Sequence, residues 1–365
     1  MVRKKGAPDI LIFFATMLLL AVGIIMVFSA SYYETLEADP FYYLRRQLLW
    51  GLLGVVSMII TSKIDYFRWK KLIWPAFIGA FILLVLVIIP GVGYEVKNAT
   101  RWLDLGFTKL QPSELMKLAV VFFIAKIISE KGFKSNSFIF GLGPYLLLIG
   151  AIGGLIMLEP DLGTTIAISG TIFVMLFAAG LRWRHIFFCI TAAIGVVAAL
   201  IIEEPYRWNR IVGFLDPWSH ADREGYQIIN ALYALGSGGF FGMGLGNSRQ
   251  KLAFLPEQYT DFIFAILAEE LGFIGSFFVL VLFFVIAWRG YRVALRCPDM
   301  FGSLLAVGLT TTIVLQAVMN IAVVTGVMPV TGIALPFISY GGSSLLISMT
   351  VIGILLNISR YAKAN

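Results

Sequence analysis

Apolar stretches long enough to cross a lipid bilayer recur along the whole chain, and they constrain its fold more than any other feature. The first runs from Ile10 to Ser31, which is longer than the roughly 7–15-residue apolar region of a signal peptide. Only 13% of the 365 residues are charged, against about 25% in soluble proteins, and the mean hydropathy is +0.89. The sequence therefore predicts an all-α, polytopic integral membrane protein, with an uncleaved first span and one domain covering residues 1–365.

The spacing of the apolar stretches predicts ten transmembrane spans, at 10–31, 46–62, 71–90, 113–129, 138–158, 161–180, 184–202, 262–288, 303–325 and 342–358. An N-terminus inside the cell places more than half of the 28 Lys and Arg residues, and few of the 21 acidic ones, in cytoplasmic segments. Because this bias sets the orientation of membrane proteins, we expect both termini to be cytoplasmic. The net charge of +7 then reflects topology and gives no support to nucleic-acid binding.

One long loop, about 203–261, falls on the outer side between spans seven and eight, and long loops often carry function. Its segment QIINALYAL predicts a short helix lying in the membrane interface. Arg207 and Arg210 flank Trp208 in the same loop. Guanidinium groups suit phosphate oxygens, so a pyrophosphate is one interpretation, and a solvated loop face is the other.

Ionisable residues inside spans are functional hypotheses by default. Glu114 and Lys117 lie three residues apart at the start of the fourth span, where they either form an ion pair that steadies the bundle or contact an anionic headgroup. Arg101 and Trp102 lie in the preceding loop, and a tryptophan at this depth is often an interfacial anchor. Further along, Asp161 is predicted to cap the helix that follows it.

The stretch LPEQYTDFIFAILAEELGFIG places three carboxylates at or within the eighth span. Asp261 directly precedes the apolar run and is predicted to be its N-cap. Glu269 and Glu270 lie about 12 Å deeper, so we expect them to face the bundle interior, paired or protonated. These residues alone fit a lipid-phosphate enzyme and a transporter equally well.

Several ordered motifs resemble those of the SEDS (shape, elongation, division and sporulation) glycosyltransferases, in particular the FtsW and SpoVE branch. They are FSAS (28–31), RWLDLG (101–106), QPSELMKL (111–118), EPDLGT (159–164), GYQIINALYALGSGG (225–239), GMGLGNSRQKLAFLPEQYTDFIFAILAEELGFIG (242–275) and PVTGIALPFISYGGSSL (329–345). The resemblance runs essentially from end to end.

This resemblance implies a peptidoglycan glycosyltransferase that polymerises lipid II on the outer face of a bacterial cytoplasmic membrane. Asp261 matches the essential aspartate of the family and is the candidate general base, while Trp102, Glu114 and Lys117 match other functionally important positions. The candidates for stabilising the pyrophosphate leaving group are Arg101, Lys117, Arg207 and Arg210.

A divalent cation, Mg²⁺ or Mn²⁺, is an alternative source of that positive charge, although the sequence contains no evident ligand cluster. The two cysteines and two histidines are too scattered to predict a disulfide framework or a zinc site.

The resemblance further implies two substrates, lipid II and the growing glycan linked to undecaprenyl pyrophosphate. It also implies a class B penicillin-binding protein, a transpeptidase, as partner, alongside other membrane proteins of the divisome or elongation machinery, with the chain acting at the division septum. Two alternatives stay open at this point: a lipid II flippase, and a scaffold that recruits the transpeptidase. The sequence leaves the choice among division, sporulation and elongation open.

Overall fold

The computed structural model describes residues 6–96, 99–104, 106, 108–133, 137–203, 205–252 and 254–362, with backbone alone at 95, 96, 190, 196–203 and 205–207. Helices make up most of these residues. They are α1 (Ile10–Ser31), α2 (Tyr42–Lys63), α3 (Tyr66–Trp69), α4 (Ile73–Ile88), α5 (Pro112–Lys131), α6 (Gly143–Leu158), α7 (Leu162–Ala178), α8 (Trp183–Glu203), α9 (Pro205–Leu215), α10 (Tyr226–Gly238), α11 (Ile263–Arg296), α12 (Met300–Val324) and α13 (Gly342–Ala362). A π-helical turn, Phe138–Leu142, leads into α6, and a 3-10 turn, Trp218–His220, follows α9.

Each predicted span coincides with a helix. Among the described residues, six helical segments are long and apolar enough to cross a membrane: Ile10–Ser31, Tyr42–Lys63, Phe138–Leu158, Ile263–Arg296, Met300–Val324 and Gly342–Ala362. Two further apolar helices, α4 and α7, are shorter. The mostly helical architecture therefore agrees with the prediction, while the total of ten spans, the side of each terminus and the side of the long loop stay predictions.

Within the described part of the chain, a small antiparallel sheet departs from an all-α fold. Its strands are β1 (Gly93–Val96), β2 (Ala99–Asp104) and β3 (Lys109–Leu110), in the order β1-β2-β3. Strand β2 packs against α4 and α5 and carries Arg101 and Trp102. The all-α prediction is wrong here because strands this short show no recognisable alternation of apolar and polar residues.

Close helix packing at the centre of the bundle depends on small residues. A Cβ atom at Gly353 of α13 would lie 2.4 Å from the carbonyl oxygen of Met58 and 2.0 Å from Oγ1 of Thr61, both on α2. Only glycine therefore allows these two backbones to approach so closely, which is a common device in membrane bundles.

Helix α11 is interrupted at Gly272, whose φ of 66° lies in the left-handed region. The interruption frees the carbonyl groups of Glu269 and Glu270, which accept hydrogen bonds from the amides of Met243 (2.9 Å) and Gly244 (3.0 Å). A Cβ atom at Gly272 would lie 2.3 Å from the nitrogen of Gly242, so the loop reaches this point only because the residue is glycine.

The long loop thus folds back onto the bundle. Helix α10 packs against α11, and its residues Ile228 and Ile229 are buried there. The helix predicted for QIINALYAL is present and packs against α11, while its placement in the membrane interface stays a prediction.

Glu269 and Glu270 are both buried and both paired, as the sequence predicted. One oxygen of Glu270 lies 2.7 Å from Nζ of Lys251, and the hydroxyl of Ser29 donates to the same carboxylate at 2.7 Å. Glu269 accepts from the amide of Arg249 at 3.0 Å and from the hydroxyl of Ser248. These bonds fix the segment 248–251 against α1 and α11.

Candidate active site

A cavity of about 1410 Å³ lies at the end of the bundle where α2, α5, α7, α11 and α13 begin. It exceeds the roughly 300–1,000 Å³ typical of sites for drug-sized ligands, so it suits a larger substrate. The predicted site residues with described side chains all line it: Arg101, Trp102, Glu114, Lys117, Arg210 and Asp261. The side chain of Arg207 lies outside the described residues.

Asp261 projects into this cavity from the turn before α11, with its side chain half-buried. Burial raises the pKa of its carboxyl to about 6; the carboxylate of Glu257 adds to the rise, while the guanidinium of Arg101 opposes it. At neutral pH such a group is mostly ionised and still basic enough to accept a proton.

Asp261 is not the N-cap of α11. The cap position belongs to Phe262, and no side chain makes a capping hydrogen bond there. The prediction of a capping role is therefore wrong. The turn is instead formed by backbone hydrogen bonds from the amides of Thr260 (3.2 Å) and Phe262 (3.1 Å) to the carbonyl oxygen of Glu257.

The backbone around Asp261 is held by groups that sequence reasoning missed. Nδ2 of Asn320, on α12, donates to the carbonyl oxygens of both Asp261 (2.7 Å) and Ile333 (2.8 Å). The hydroxyl of Ser339 donates to the carbonyl oxygen of Thr260 at 2.6 Å. The segment PVTGIALPFISYGG is thereby bonded to the turn that carries the carboxylate, and its position in a shared motif was the only sequence signal for this role.

Arg101 faces Asp261 across Gly332. A Cβ atom at Gly332, where φ is +74°, would lie 3.6 Å from Oδ2 of Asp261 and 3.9 Å from Nη1 of Arg101. The guanidinium is held from behind, because Nε donates to the carbonyl oxygen of Glu159 at 3.0 Å and Nη2 donates to that of Pro160. The sheet and the α6–α7 turn together place a fixed positive charge beside the carboxylate.

The α6–α7 turn holds two carboxyl groups in different surroundings. The side chain of Asp161 caps α7, accepting from the amide and the hydroxyl of Thr164 at 2.9 Å each, which confirms the predicted cap. Glu159 is fully buried, and both of its carboxyl oxygens lack a partner among the described residues. Burial, reinforced by the charge of Asp161 and opposed by Arg101, raises the pKa of Glu159 to about 8. Glu159 is therefore mainly neutral at pH 7 and does not itself cancel the positive charge of Arg101.

Glu114 and Lys117 form a buried ion pair in the first turns of α5, with Nζ 2.7 Å from Oε1. The pair lines the large cavity and also a second pocket of about 10 Å³, which Gln316 borders as well. The predicted pairing is confirmed, and the pair has one side open to the cavity.

Arg210 reaches the cavity from α9, and its Nη1 donates to the carbonyl oxygen of Val330 at 2.7 Å. Trp102 lines the cavity from β2 and is half-buried. Trp208, two residues before Arg210 in the chain, is 50% exposed and does not line the cavity. The long loop and the sheet thus contribute residues to one site.

Among the residues that the structure describes, no three His, Cys, Asp or Glu side chains converge as metal ligands. The described side chains therefore do not fit a divalent cation held by three protein ligands, and no catalytic step is assigned to one.

Comparison with known proteins places this cavity in a family context. The sequence matches the family model for FtsW, RodA and SpoVE, described as cell cycle proteins, over residues 9–364. Stage V sporulation protein E of Bacillus subtilis (strain 168) is 48% identical, with 100% of both chains covered. The probable peptidoglycan glycosyltransferase FtsW of Geobacter sp. (strain M18) is 41% identical over 98% of each chain.

Solved structures agree with these matches. The rod shape determining protein RodA of Thermus thermophilus is 30% identical, with a TM-score of 0.72 over 97% of each chain. A chain from a peptidoglycan synthase complex, studied for its coordination of polymerization and crosslinking, has a TM-score of 0.82 at 29% identity. That match covers 98% of this chain and 99% of the other.

Proposed function

The chain belongs to the FtsW, RodA and SpoVE family of cell cycle proteins, and we propose that it is a peptidoglycan glycosyltransferase that polymerises lipid II with Asp261 as general base. Relatives at 40–42% identity carry the name probable peptidoglycan glycosyltransferase. The single observation that best supports Asp261 as the general base is the position of its carboxylate. It lies in a large cavity, and the fixed guanidinium of Arg101 faces it.

The reaction joins two lipid-linked sugars. The 4-hydroxyl oxygen of the acceptor sugar forms a bond to the anomeric carbon of the donor, and the bond from that carbon to the donor pyrophosphate breaks. The hydroxyl proton passes to the carboxylate of Asp261, and the pyrophosphate leaves with the bonding electron pair. General-base assistance of this kind contributes typically about 10²–10⁴-fold to the rate.

Negative charge develops on the leaving pyrophosphate, so positive groups near the reacting carbon lower the barrier. Arg101 is the best placed because its guanidinium lies beside Asp261 and is already oriented by two carbonyl groups. Lys117 has donor capacity beyond its bond to Glu114, and Arg210 completes the cationic wall. Arg207 stays a sequence-based candidate for the same role.

The same comparisons, together with the sequence resemblance, support a proposal for the assembly and location of the protein. One structural relative belongs to a complex that coordinates polymerization with crosslinking. A penicillin-binding transpeptidase is therefore the partner that we expect for this chain, in the cytoplasmic membrane of a bacterium and at the division septum.

Polymerisation of lipid II by the purified protein in detergent, with and without that partner, tests the proposal. We expect glycan product from the wild type, and formation about 10²–10⁴-fold slower from Asp261→Asn. Asp104→Asn is the matched control, because Asp104 lines the same cavity and its carboxylate accepts from the amide of Gly106.

The flippase alternative predicts a different result. Translocation of the lipid II headgroup in liposomes, with no glycan formed under any condition, would overturn the enzyme assignment. Recruitment of the transpeptidase by a protein that neither polymerises nor translocates lipid II would indicate a scaffold.

A further inference from the structure

A further arginine lines the cavity, in addition to Arg101, Lys117 and Arg210. Arg46, in the second turn of α2, lines the cavity, and its guanidinium lies over the ring of Tyr42 at 5.1 Å, beside Tyr340. No carboxylate among the described residues forms an ion pair with it. The adjacent Arg45, in contrast, is bound to Asp39 at 2.9 Å and does not line the cavity.

Three tyrosine rings in mutual contact connect the surroundings of Arg46 with the turn that carries Asp261, since Tyr340 lies beside Arg46 and Tyr259 precedes Asp261 by two residues. The ring centroids of Tyr43 and Tyr259 are 4.6 Å apart, and those of Tyr43 and Tyr340 are 4.8 Å apart. Two of them are also joined through the backbone, because the amide of Tyr340 donates to the carbonyl oxygen of Tyr259, in the turn before α11, at 2.9 Å. All three rings are half-buried and line the cavity, so each keeps an accessible surface.

The geometry of the proposed reaction calls for two separate anion positions. The donor pyrophosphate is attached to the carbon under attack, so its binding groups must lie beside Asp261, where Arg101 is. The acceptor hydroxyl belongs to the outer sugar of a disaccharide, so the acceptor pyrophosphate lies two sugar rings away from Asp261. Binding of the acceptor pyrophosphate therefore requires a second cation, separated from Asp261 by a surface that accommodates two sugar rings.

We propose that Arg46 and the three tyrosines, Tyr43, Tyr259 and Tyr340, form the acceptor subsite. Arg46 binds the pyrophosphate of a polyprenyl-linked disaccharide, and the tyrosine rings support its two sugars so that the outer hydroxyl reaches Asp261. Aromatic rings with a hydroxyl rim match the mixed apolar and polar faces of a sugar, and the guanidinium fork matches phosphate oxygens. This inference rests on the proposed glycosyltransferase function.

An elongation assay with separate substrates tests the subsite. A preformed short glycan linked to undecaprenyl pyrophosphate serves as donor at a fixed concentration, and labelled lipid II is varied as acceptor. We expect Arg46→Gln to raise the acceptor KM about tenfold or more with little change in kcat, since loss of a charge-assisted hydrogen bond has an effect of this size. Arg46→Lys should recover part of the loss, and Arg45→Gln should match the wild type.

A second measurement identifies the group that Arg46 contacts. Binding of the acceptor is measured in the Asp261→Asn background, once with lipid II and once with an analogue whose pyrophosphate is replaced by a neutral linker. Arg46→Gln should weaken the first binding and leave the second unchanged.

The possible outcomes distinguish a failure of the proposed glycosyltransferase function from a failure of the proposed acceptor subsite. A wild-type protein that forms no glycan refutes the proposed function itself. If the wild type polymerises and Arg46→Gln leaves the acceptor KM unchanged, the subsite is wrong. Equal rises in KM for Arg46→Gln and Arg45→Gln would also overturn it, because they would indicate general attraction of anionic lipids. Unchanged thermal unfolding of the variants excludes misfolding as the cause.

Discussion

Replacing Asp261 by Asn should separate catalysis from stability. The amide keeps the shape of the side chain and cannot accept the hydroxyl proton, so we expect glycan formation to fall by about 10²–10⁴-fold. Since the side chain makes no capping bond to α11, the change removes no helix cap. A loss of activity in this variant therefore reports on chemistry.

The expected stability change follows from the pKa of Asp261. Its rise from 3.8 to about 6 on folding corresponds to about 3 kcal/mol. Because the folded pKa is the higher one, ionisation opposes folding: the penalty is absent well below pH 3.8, grows as the pH rises, and is complete above about pH 6. The amide of the Asn variant has no ionisation penalty, but the charge of Arg101 then has no carboxylate facing it. The variant should thus be more stable than the wild type near neutral pH, by up to about 3 kcal/mol.

Thermal unfolding in detergent at about pH 7 and about pH 4 measures this difference, together with the pH dependence of polymerisation by the wild type. We expect the variant to unfold at a higher temperature near pH 7 and the two proteins to converge near pH 4. The wild-type rate should fall about tenfold per pH unit below the pKa of about 6 for Asp261.

Two results would refute this reasoning. An Asp261→Asn protein that unfolds at a lower temperature than the wild type near pH 7 would mean that the ionised carboxylate stabilises the fold. Retained polymerisation at pH 7 would mean that Asp261 is not the base.

The remaining predictions concern the groups that support the site. Lys251→Met should destabilise the protein by about 3–5 kcal/mol, because it leaves Glu270 buried without its ion-pair partner, and Lys251→Met combined with Glu270→Gln should recover much of the loss in thermal unfolding. Arg101→Lys keeps the charge but not both bonds to the α6–α7 turn, so kcat should fall about tenfold at an unchanged unfolding temperature; an unchanged kcat would remove Arg101 from the mechanism. Gly272→Ala should lower the unfolding temperature because its Cβ meets the backbone of the loop, whereas Gly236→Ala, in open space on α10, should stabilise by about 0.5–1 kcal/mol.

The predictions that the structure confirmed depend on local sequence. The positions of the apolar helices follow from their own composition, because the transfer of apolar side chains from water requires no particular partner. The cap formed by Asp161 depends on residues within one turn of it. The burial and pairing of Glu269 and Glu270 followed from the cost of an unpaired charge in apolar surroundings, although the identity of the partner did not.

The sequence by itself determined the helical membrane architecture, the family resemblance and the set of candidate site residues. Only the tertiary structure decided how those residues are held: Arg101 lies on a strand beside Asp261, and the turn that carries Asp261 is bonded to Asn320 and Ser339. It also showed that Asp261 caps no helix. These features depend on hydrogen bonds and close approaches between segments far apart in the chain, and no local periodicity encodes which distant backbone a side chain will meet.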